Sequence, residues 1–298
     1  MPNATLLRLI SWNLNGRVRE AGAQVAALMR ERPDAVALQE VTRSTLPVLR
    51  AELSEAGLEY IVDSFALAPV DFKARGPRRY GQLTASRHPL GPEQPGRFAV
   101  CWPERILSAK MDVGSLSIEL HNTHVPPGSS NGWTKIAVLD AIYSALAVPS
   151  AGPRILCGDL NTPRLELASG EVITWGQQLS RDGSWRVMRS RNRRPGADWD
   201  RGERRVLVGL AEYDLVDVFR AVHGYETTDS SWFLRRGERA IGRRFDHVFA
   251  SRSLVPKSCR YLHALREAGL SDHSPIEATL DLSAQLGAAA RMNVPFTS

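Results

Sequence analysis

Apolar residues gather along this chain in short runs of strand length, separated by stretches with helical spacing. Leu6 to Trp12 (LLRLISW) reads as a strand, Ala21 to Arg32 as a helix, and Ala35 to Gln39 (AVALQ), after the helix-breaking Pro33, as a second strand. Further strands are predicted over Gln82–Ser86, Phe98–Trp102, Leu116–His121, Arg154–Cys157 and His247–Ala250. A helix is predicted over Lys135–Leu146 and a last strand in the IEATLDL run after Pro275. This alternation points to an α/β domain of layered sheets and helices, with one central sheet and two packed sheets equally compatible with the pattern. No repeat, low-complexity tract or Pro/Ser-rich linker divides the chain, so one domain is expected over residues 1–286, followed by a weakly patterned tail over 287–298.

Polar residues of catalytic type fall at the ends of these runs. LLRLISW delivers Asn13 and Asn15, AVALQ delivers Glu40, LSIELHNT delivers His124, and RILCG delivers Asp159 and Asn161; Asp246 and the pair Asp272-His273 stand at later boundaries. A strand holds its terminal residue on a rigid support, and several strands ending at one sheet edge gather distant side chains into a single cleft. Taken singly, each residue has a plainer role: Asn15 shapes the turn before Gly16, and Asp272 caps one before Pro275. Taken together they form a hard-oxygen inventory with two histidines. Carboxylates and amides without thiolates select Mg2+, Mn2+ or Ca2+ over zinc, and Mg2+ commonly combines one or two carboxylates with substrate phosphate. The chemistry expected of such a set is attack of water on a phosphate ester. A metal would neutralise phosphoryl charge, an acid would position and deprotonate the water, and amides or imidazolium would hold the non-bridging oxygens. The absence of GxxxxGK[ST], GxGxxG and GxSxG sets aside nucleotide-binding loops and serine hydrolases.

Composition narrows the partners. With 298 residues and 43% hydrophobic content the chain can bury a core without disulfides or a structural metal. Cys101, Cys157 and Cys259 are widely spaced and contain no CxxC pair, so buried thiols in a reducing compartment are expected. There is no export signature at the N-terminus and no apolar run near the roughly 20 residues of a membrane span. A soluble, cytoplasmic monomer without membrane contact is therefore expected. The excess of 38 basic over 32 acidic residues, +6 in all, favours polyanionic partners. Much of it is concentrated between Arg181 and Arg205, where nine arginines face four acids and where Trp185 and Trp199 lie among Gly183, Pro195 and Gly196. This stretch reads as a long loop offering guanidinium groups and stacking surfaces, with Arg191, Arg193, Arg194 and Trp185 as candidate substrate contacts. The alternative is a solvated insertion, and arginine outnumbers lysine 34 to 4 throughout, a bias that genome composition alone is able to produce.

In order, Ser11-Trp12-Asn13-Leu14-Asn15-Gly16, Leu38-Gln39-Glu40, Asn122-Thr123-His124-Val125-Pro126, Gly158-Asp159-Leu160-Asn161, Phe245-Asp246-His247-Val248-Phe249 and Ser271-Asp272-His273-Ser274-Pro275 span almost the whole chain. The series resembles the endonuclease/exonuclease/phosphatase superfamily. That resemblance implies a four-layer α/β sandwich of two packed mixed β-sheets flanked by helices, with the active site at one edge and a divalent metal, Mg2+ or Mn2+. The WNLNG opening, the HNTHVPPGSSNGW segment and the stretch from Leu215-Val216-Asp217-Val218-Phe219-Arg220 to Arg244-Phe245-Asp246 resemble the exonuclease III-like and abasic-site endonuclease branch. Two departures stand out. His124 occupies a place where that branch usually has tyrosine and DNase I-like and sphingomyelinase-like members have histidine, and an arginine-rich insertion follows Asn161.

Carried over residue by residue, the resemblance makes Glu40 the principal metal carboxylate, with Asn13 and Asn15 beside metal and phosphate and Asp272 as a further ligand. Asp159 would activate the water and Asn161 would bind a phosphoryl oxygen. His273 would contact the phosphate, and Asp246 would fix its tautomer and charge. His124 would either hold the scissile phosphate or assist the leaving oxygen. Glu40 and Asp159 are expected as exposed cleft acids whose replacement spares the fold. The function implied is a metal-dependent phosphodiesterase on nucleic acid, DNA first, of endonuclease or exonuclease type. The alternatives are a phosphatase or phosphodiesterase on a small or lipid-headgroup substrate and a non-catalytic nucleic-acid-binding protein of the same fold.

Overall fold

Strand β1 (Leu6–Asn13) is buried without a break from Leu9 onward, the signature of a central strand covered on both faces. Its residues divide by parity between two cores. Leu7 and Leu9 join one hydrophobic cluster, Ile10 and Trp12 another, and β2 (Ala35–Val41) does the same with Ala35 and Ala37 against Val36 and Leu38. The computed structural model describes residues 5–68, 72–93 and 97–286, with the backbone alone of Arg235 and Arg236; the tail expected over 287–298 lies outside the described residues.

The two cores belong to a four-layer sandwich. Further strands are β3 (Tyr60–Asp63), β4 (Gly81–Ser86), β5 (Leu90–Pro92), β6 (Ile106–Val113), β7 (Leu116–His124), β8 (Arg154–Asp159), β9 (Val216–Asp217), β10 (Asp246–Ala250), β11 (Val255–Tyr261) and β12 (Ile276–Asp281). Among the described residues they form two six-stranded mixed sheets, ordered β11-β12-β1-β2-β4-β3 and β9-β10-β8-β7-β6-β5. The parallel pairs β1/β2 and β7/β8 are each joined by a crossover helix, α1 (Ala21–Arg30) and α3 (Thr134–Leu146). Helix α1 and α2 (Leu46–Glu55) cover the outer face of the first sheet through Val25, Leu28, Leu49 and Leu53. Helix α3 and α4 (Gly196–Leu207) cover the second through Val138, Leu139, Ile142, Trp199 and Val206. Between the sheets lie Leu7, Leu9, Ile118, Leu120, Ile155, Val248, Ala278 and Leu280, all fully buried. No helix among the described residues is long and apolar enough to cross a membrane.

Three local expectations are corrected. Phe98–Trp102 is not a strand: Val100 N–H closes a tight turn onto the Phe98 carbonyl at 2.8 Å, and Phe98 and Val100 pack from a loop onto the helical side of the second sheet. The sheet strand begins after Pro103, at Ile106. The arginine-rich stretch is not an irregular loop. It folds into two small hairpins, Gln177–Leu179 with Trp185–Val187 and Ser190–Arg191 with Arg194–Pro195, and then into α4. Dense charge hid the helical spacing of Trp199, Gly202, Glu203 and Val206, all of which face inward, so Trp199 is a buried core residue and not the tryptophan of an exposed loop. The third correction concerns Cys101, which is exposed, whereas Cys157 and Cys259 are buried.

At Gly158, one residue before Asp159, the backbone adopts φ 134° and a Cβ would sit 1.8 Å from the Thr123 carbonyl oxygen. Gly158→Ala is therefore expected to pry β8 from β7 and to cost about 3 kcal/mol or more, read as a lowered denaturant midpoint. A midpoint equal to that of the unmutated protein would overturn this account.

Candidate active site

Sheet direction explains why residues so far apart in the chain meet. β1 and β2 run parallel, as do β7 and β8, so all four can end at one edge of the sandwich; β10 and β12 are antiparallel to their neighbours and begin there. Asp159 lies directly opposite His124 on one side and Asp246 on the other. In β2 the pairing with β4 slips between Leu38 and Val41, and this bulge turns Glu40 toward the cleft with φ 54°. Asn15 and Asn161 are also left-handed, at φ 55° and 52°. Such a conformation costs a non-glycine residue about 1–2 kcal/mol, and strain of this kind concentrates at functional sites.

Asn13 links the two sheets. Its Nδ2 donates to Asp159 Oδ2 at 3.0 Å and to Glu40 Oε1 at 3.3 Å, while its Oδ1 accepts from the Asn15 N–H at 2.9 Å and so fixes the amide's orientation. Asn161 holds Asp159 from the other side, through its backbone N–H at 2.8 Å and Nδ2 at 3.2 Å; the same Nδ2 donates to the Val125 carbonyl at 2.9 Å. Both amide hydrogens of Asn161 are thus engaged. Asp159 itself is 1% exposed, which corrects the expectation of an exposed cleft acid: β8 buries it between β7 and β10. Burial raises its pKa, and His273 opposes that rise.

The two histidines are opposites. His273 Nδ1 pairs with Asp246 Oδ2 at 2.7 Å, its Nε2 lies 3.8 Å from Asp159 Oδ2, and its carbonyl accepts from the Trp12 indole at 2.9 Å. Burial works against its charge, but Asp246 and then Asp159 outweigh it and push its pKa up to about 10. His124 Nε2 lies 3.5 Å from Glu40 and 3.7 Å from Asp159, and its Nδ1 meets the guanidinium of buried Arg105. A guanidinium only donates, so Nδ1 accepts and Nε2 carries the proton. Burial, with Arg105 and His273 beside it, holds the His124 pKa well below the usual imidazole value.

The donor set fits a hard cation at Glu40. Its carboxylate faces the cleft, its nearest partners are at 3.3 and 3.5 Å, and burial raises its pKa, as for an anion lacking a full counter-charge. Asp272 is exposed, with Oδ2 accepting from the Trp232 indole at 3.1 Å, and Asn15 is half-buried. Asp159, Asp246 and His273 also bring potential ligand atoms within 4.8 Å of one another. Asp246 and Asp159 keep the His273 ring protonated, and an imidazolium has no free lone pair to offer a metal, so that trio is an ion-paired group instead.

A cleft of about 440 Å³ opens over these groups, lined among others by Lys135, Trp175, Arg191, Trp232 and Phe245. The structure brings Arg191 to it and leaves Arg193, Arg194 and Trp185 outside its lining; Arg193 and Arg194 are exposed. Arg105 and Lys135 carried no signal in the sequence. Arg105 follows a proline after a stretch misread as strand, and Lys135 is a single charge at the start of an apolar helix.

The sequence profile of the Endonuclease/Exonuclease/phosphatase family matches residues 10–273, from β1 to His273. The chain belongs to this family. Its fold is shared by an AP endonuclease from Archaeoglobus fulgidus (TM-score 0.65, 23% identity, 92% of this chain and 99% of that one). It is shared as well by a D. rerio TDP2 complexed with single strand DNA product (TM-score 0.61, 14% identity, 93% and 99%). A third structure of the same fold is an endonuclease/exonuclease/phosphatase from Beutenbergia cavernae (TM-score 0.59, 19% identity, 93% and 72%). No curated protein sequence matches this chain. Family members are phosphoric ester hydrolases that use divalent metals, in keeping with the oxygen-rich cleft.

His273 is expected to remain an imidazolium through neutral pH, and Asp246→Asn to lower its pKa by about 1–3 pH units. Because the folded value lies above the unfolded one, near 6.5, the pair's contribution to stability is complete below about pH 6.5 and is lost as pH rises through about 10. Ring-carbon NMR titration measures this directly; a native His273 that loses its proton below pH 7 would sink the assignment.

Proposed function

We propose that this protein is a divalent-metal-dependent phosphodiesterase that hydrolyses nucleic acid, DNA first, by in-line attack of water at phosphorus, in the manner of an exonuclease III-like nuclease. The observation that carries the reading is the setting of Asp159. It is a buried carboxylate held by two amides, with an Asp246-backed imidazolium on one side and Glu40 on the other. Burial raises its basicity toward that of a general base at neutral pH, and its position orients a water for attack. His273, through Nε2–H, stabilises negative charge as it builds on a non-bridging oxygen, and Asp246 keeps the ring charged and aimed. His124 presents Nε2–H to the same space and acts as a hydrogen-bond donor to the phosphate.

Glu40 would hold the metal, with Asn15 and Asp272 near it; when bound, the ion supplies charge neutralisation on the phosphoryl oxygens. The nucleic-acid assignment is supported by the net charge of +6, by Arg191 on the cleft wall, and by shared fold with an AP endonuclease and with a TDP2 solved with a DNA product. A second reading, hydrolysis of a small or lipid-headgroup phosphoester, is favoured by one feature: histidine at 124, locked by Arg105, in place of tyrosine.

Mg2+-dependent cleavage is expected on a panel of abasic duplex, plain duplex and single-stranded DNA, with RNA and phospholipid as the contrasting substrates. Chelation should stop it. Asp159→Asn and Glu40→Gln should each lower kcat by about 10³-fold or more, Glu40→Gln also raising the metal concentration required. Cleavage by Asp159→Asn at the unmutated rate would remove that residue from the chemistry, and cleavage confined to phospholipid would replace the first reading by the second.

A further inference from the structure

Near Trp175, outside the lining of the reaction cleft, lies a second group of basic side chains. Arg164 stands three residues after Asn161, and Arg243 three before Asp246, so each is within about 10 Å of a site residue along the backbone. Both line a narrow groove of about 90 Å³. The Arg164 guanidinium lies 5.7 Å from the Trp175 ring and 4.9 Å from that of Trp185, and the Arg243 guanidinium 5.6 Å from Trp175. Trp175 also lines the reaction cleft, where Arg191 lies 4.4 Å over Trp199. Trp175 therefore has two arginines beside it, and the cleft that it helps to line holds a third.

None of these three cations meets a carboxylate among the described residues. Arg164 donates to the Gln177 carbonyl at 2.7 Å and Arg243 to that of Gly242 at 2.8 Å, while Nε of Arg191 and Nε of Arg243 are buried without a partner. The acids that border the groove are already taken. Glu166 is held by Arg220 and Arg244, and Asp229 by His263. Burial lowers the pKa of both Arg191 and Arg243 and Arg164 lowers each further, with Glu203 opposing the fall at Arg191. Clustered guanidinium groups beside indole rings, with unused donors and no carboxylate in direct contact, are suited to forked contacts with phosphate oxygens.

We propose that this groove is a phosphate subsite in which Arg164 and Arg243, with Arg191 at the cleft end, hold the sugar–phosphate backbone of the strand being cleaved on one side of the scissile bond. The proposal rests on the reading of the reaction centre as a nucleic-acid phosphodiesterase and adds a substrate class to it. A lipid headgroup or a small phosphoester would leave the groove unfilled, whereas a polymer spans both places.

Binding, measured apart from cleavage, tests it. The full chain is titrated against a fluorescently labelled single-stranded oligodeoxythymidylate of about 12 nucleotides, with chelator present, and anisotropy is followed across a salt series. The pair Arg164→Gln and Arg243→Gln is expected to raise Kd by about tenfold and to reduce the slope of log affinity against log salt by about 1–2. Arg164→Lys and Arg243→Lys together should retain most of the slope, which a purely structural loss would not. Arg252→Gln, at the opposite end of β10 and exposed beside Asp214, serves as the neutral control. Affinity and slope unchanged in the double glutamine variant, or an unmutated chain that does not bind the strand, would overturn the subsite. A chain that binds through these arginines but cleaves no member of the substrate panel would overturn the hydrolytic reading alone.

Discussion

The site depends on one amide that bridges two sheets. Asn13 ends a strand of the first sheet and places a hydrogen on a carboxylate from each sheet, Glu40 and Asp159. Two carboxylates brought this close repel, and each would take up a proton if nothing held the charged forms. Asn13 can hold both only while the sheets keep their relative register. A slip of one residue in β8 would send Asp159 to the opposite face and put Gly158 in its place. What prevents the slip is the shared core of Leu9, Ile155, Val248 and Ala278, with the close approach of Gly158 to Thr123 that no side chain could permit. The chemistry at the edge is in this sense a property of packing in the middle.

Charge balance follows from the same arrangement. Asp159 and Asp246 are buried beside one another, and Glu40 lies at the mouth; His273 and Arg105 are the cations that keep them tolerable. The two histidines then separate by environment alone. His273 faces carboxylates through both ring nitrogens and holds its proton, whereas His124 faces Arg105 through one and is kept neutral. Pairs of titratable groups pushed apart in this way are a means of assigning roles. Sequence left His124 open between a proton donor to the leaving oxygen and a holder of phosphate; a neutral ring with Nε2–H directed at the carboxylates favours the second.

Most of the fold and the inner ring of the site could be read from the chain. β2, β8 and β10 are buried almost throughout, and β1 and β7 are buried over the half that leads to the cleft, so their apolar residues stand out, and each of the five ends or begins at or beside a residue whose chemistry contrasts with them. The failures came where local pattern and tertiary role disagree. Phe98 and Val100 are apolar because a loop packs on the core, and periodicity cannot separate that from a strand. α4 is so rich in arginine and acid that its inward face, built on Trp199, Glu203 and Val206, disappears into the charge. Arg105 acts across space on His124 and on Glu40, a relation that no linear spacing encodes.

That hidden face of α4 also decides what kind of insertion this is. Glu203 accepts from the Trp199 indole at 2.7 Å, the Thr162 hydroxyl at 2.8 Å and the Trp175 backbone at 2.8 Å, and it pairs with Lys135, whose ammonium also donates to the Asn161 carbonyl at 2.8 Å. A buried ion pair adds little net stability by itself, but removing one partner strands the other at a cost of about 3–5 kcal/mol. Every donor here ends on Glu203 or beside Asn161, so the arginine-bearing wall cannot swing away from the reaction centre without breaking several of these bonds at once. A solvated insertion would have no need of such an anchor. The anchoring makes the wall part of the cleft, and it fixes Trp175, with Arg164 and Arg243 beside it, at a set distance from the carboxylates that Asn13 holds together.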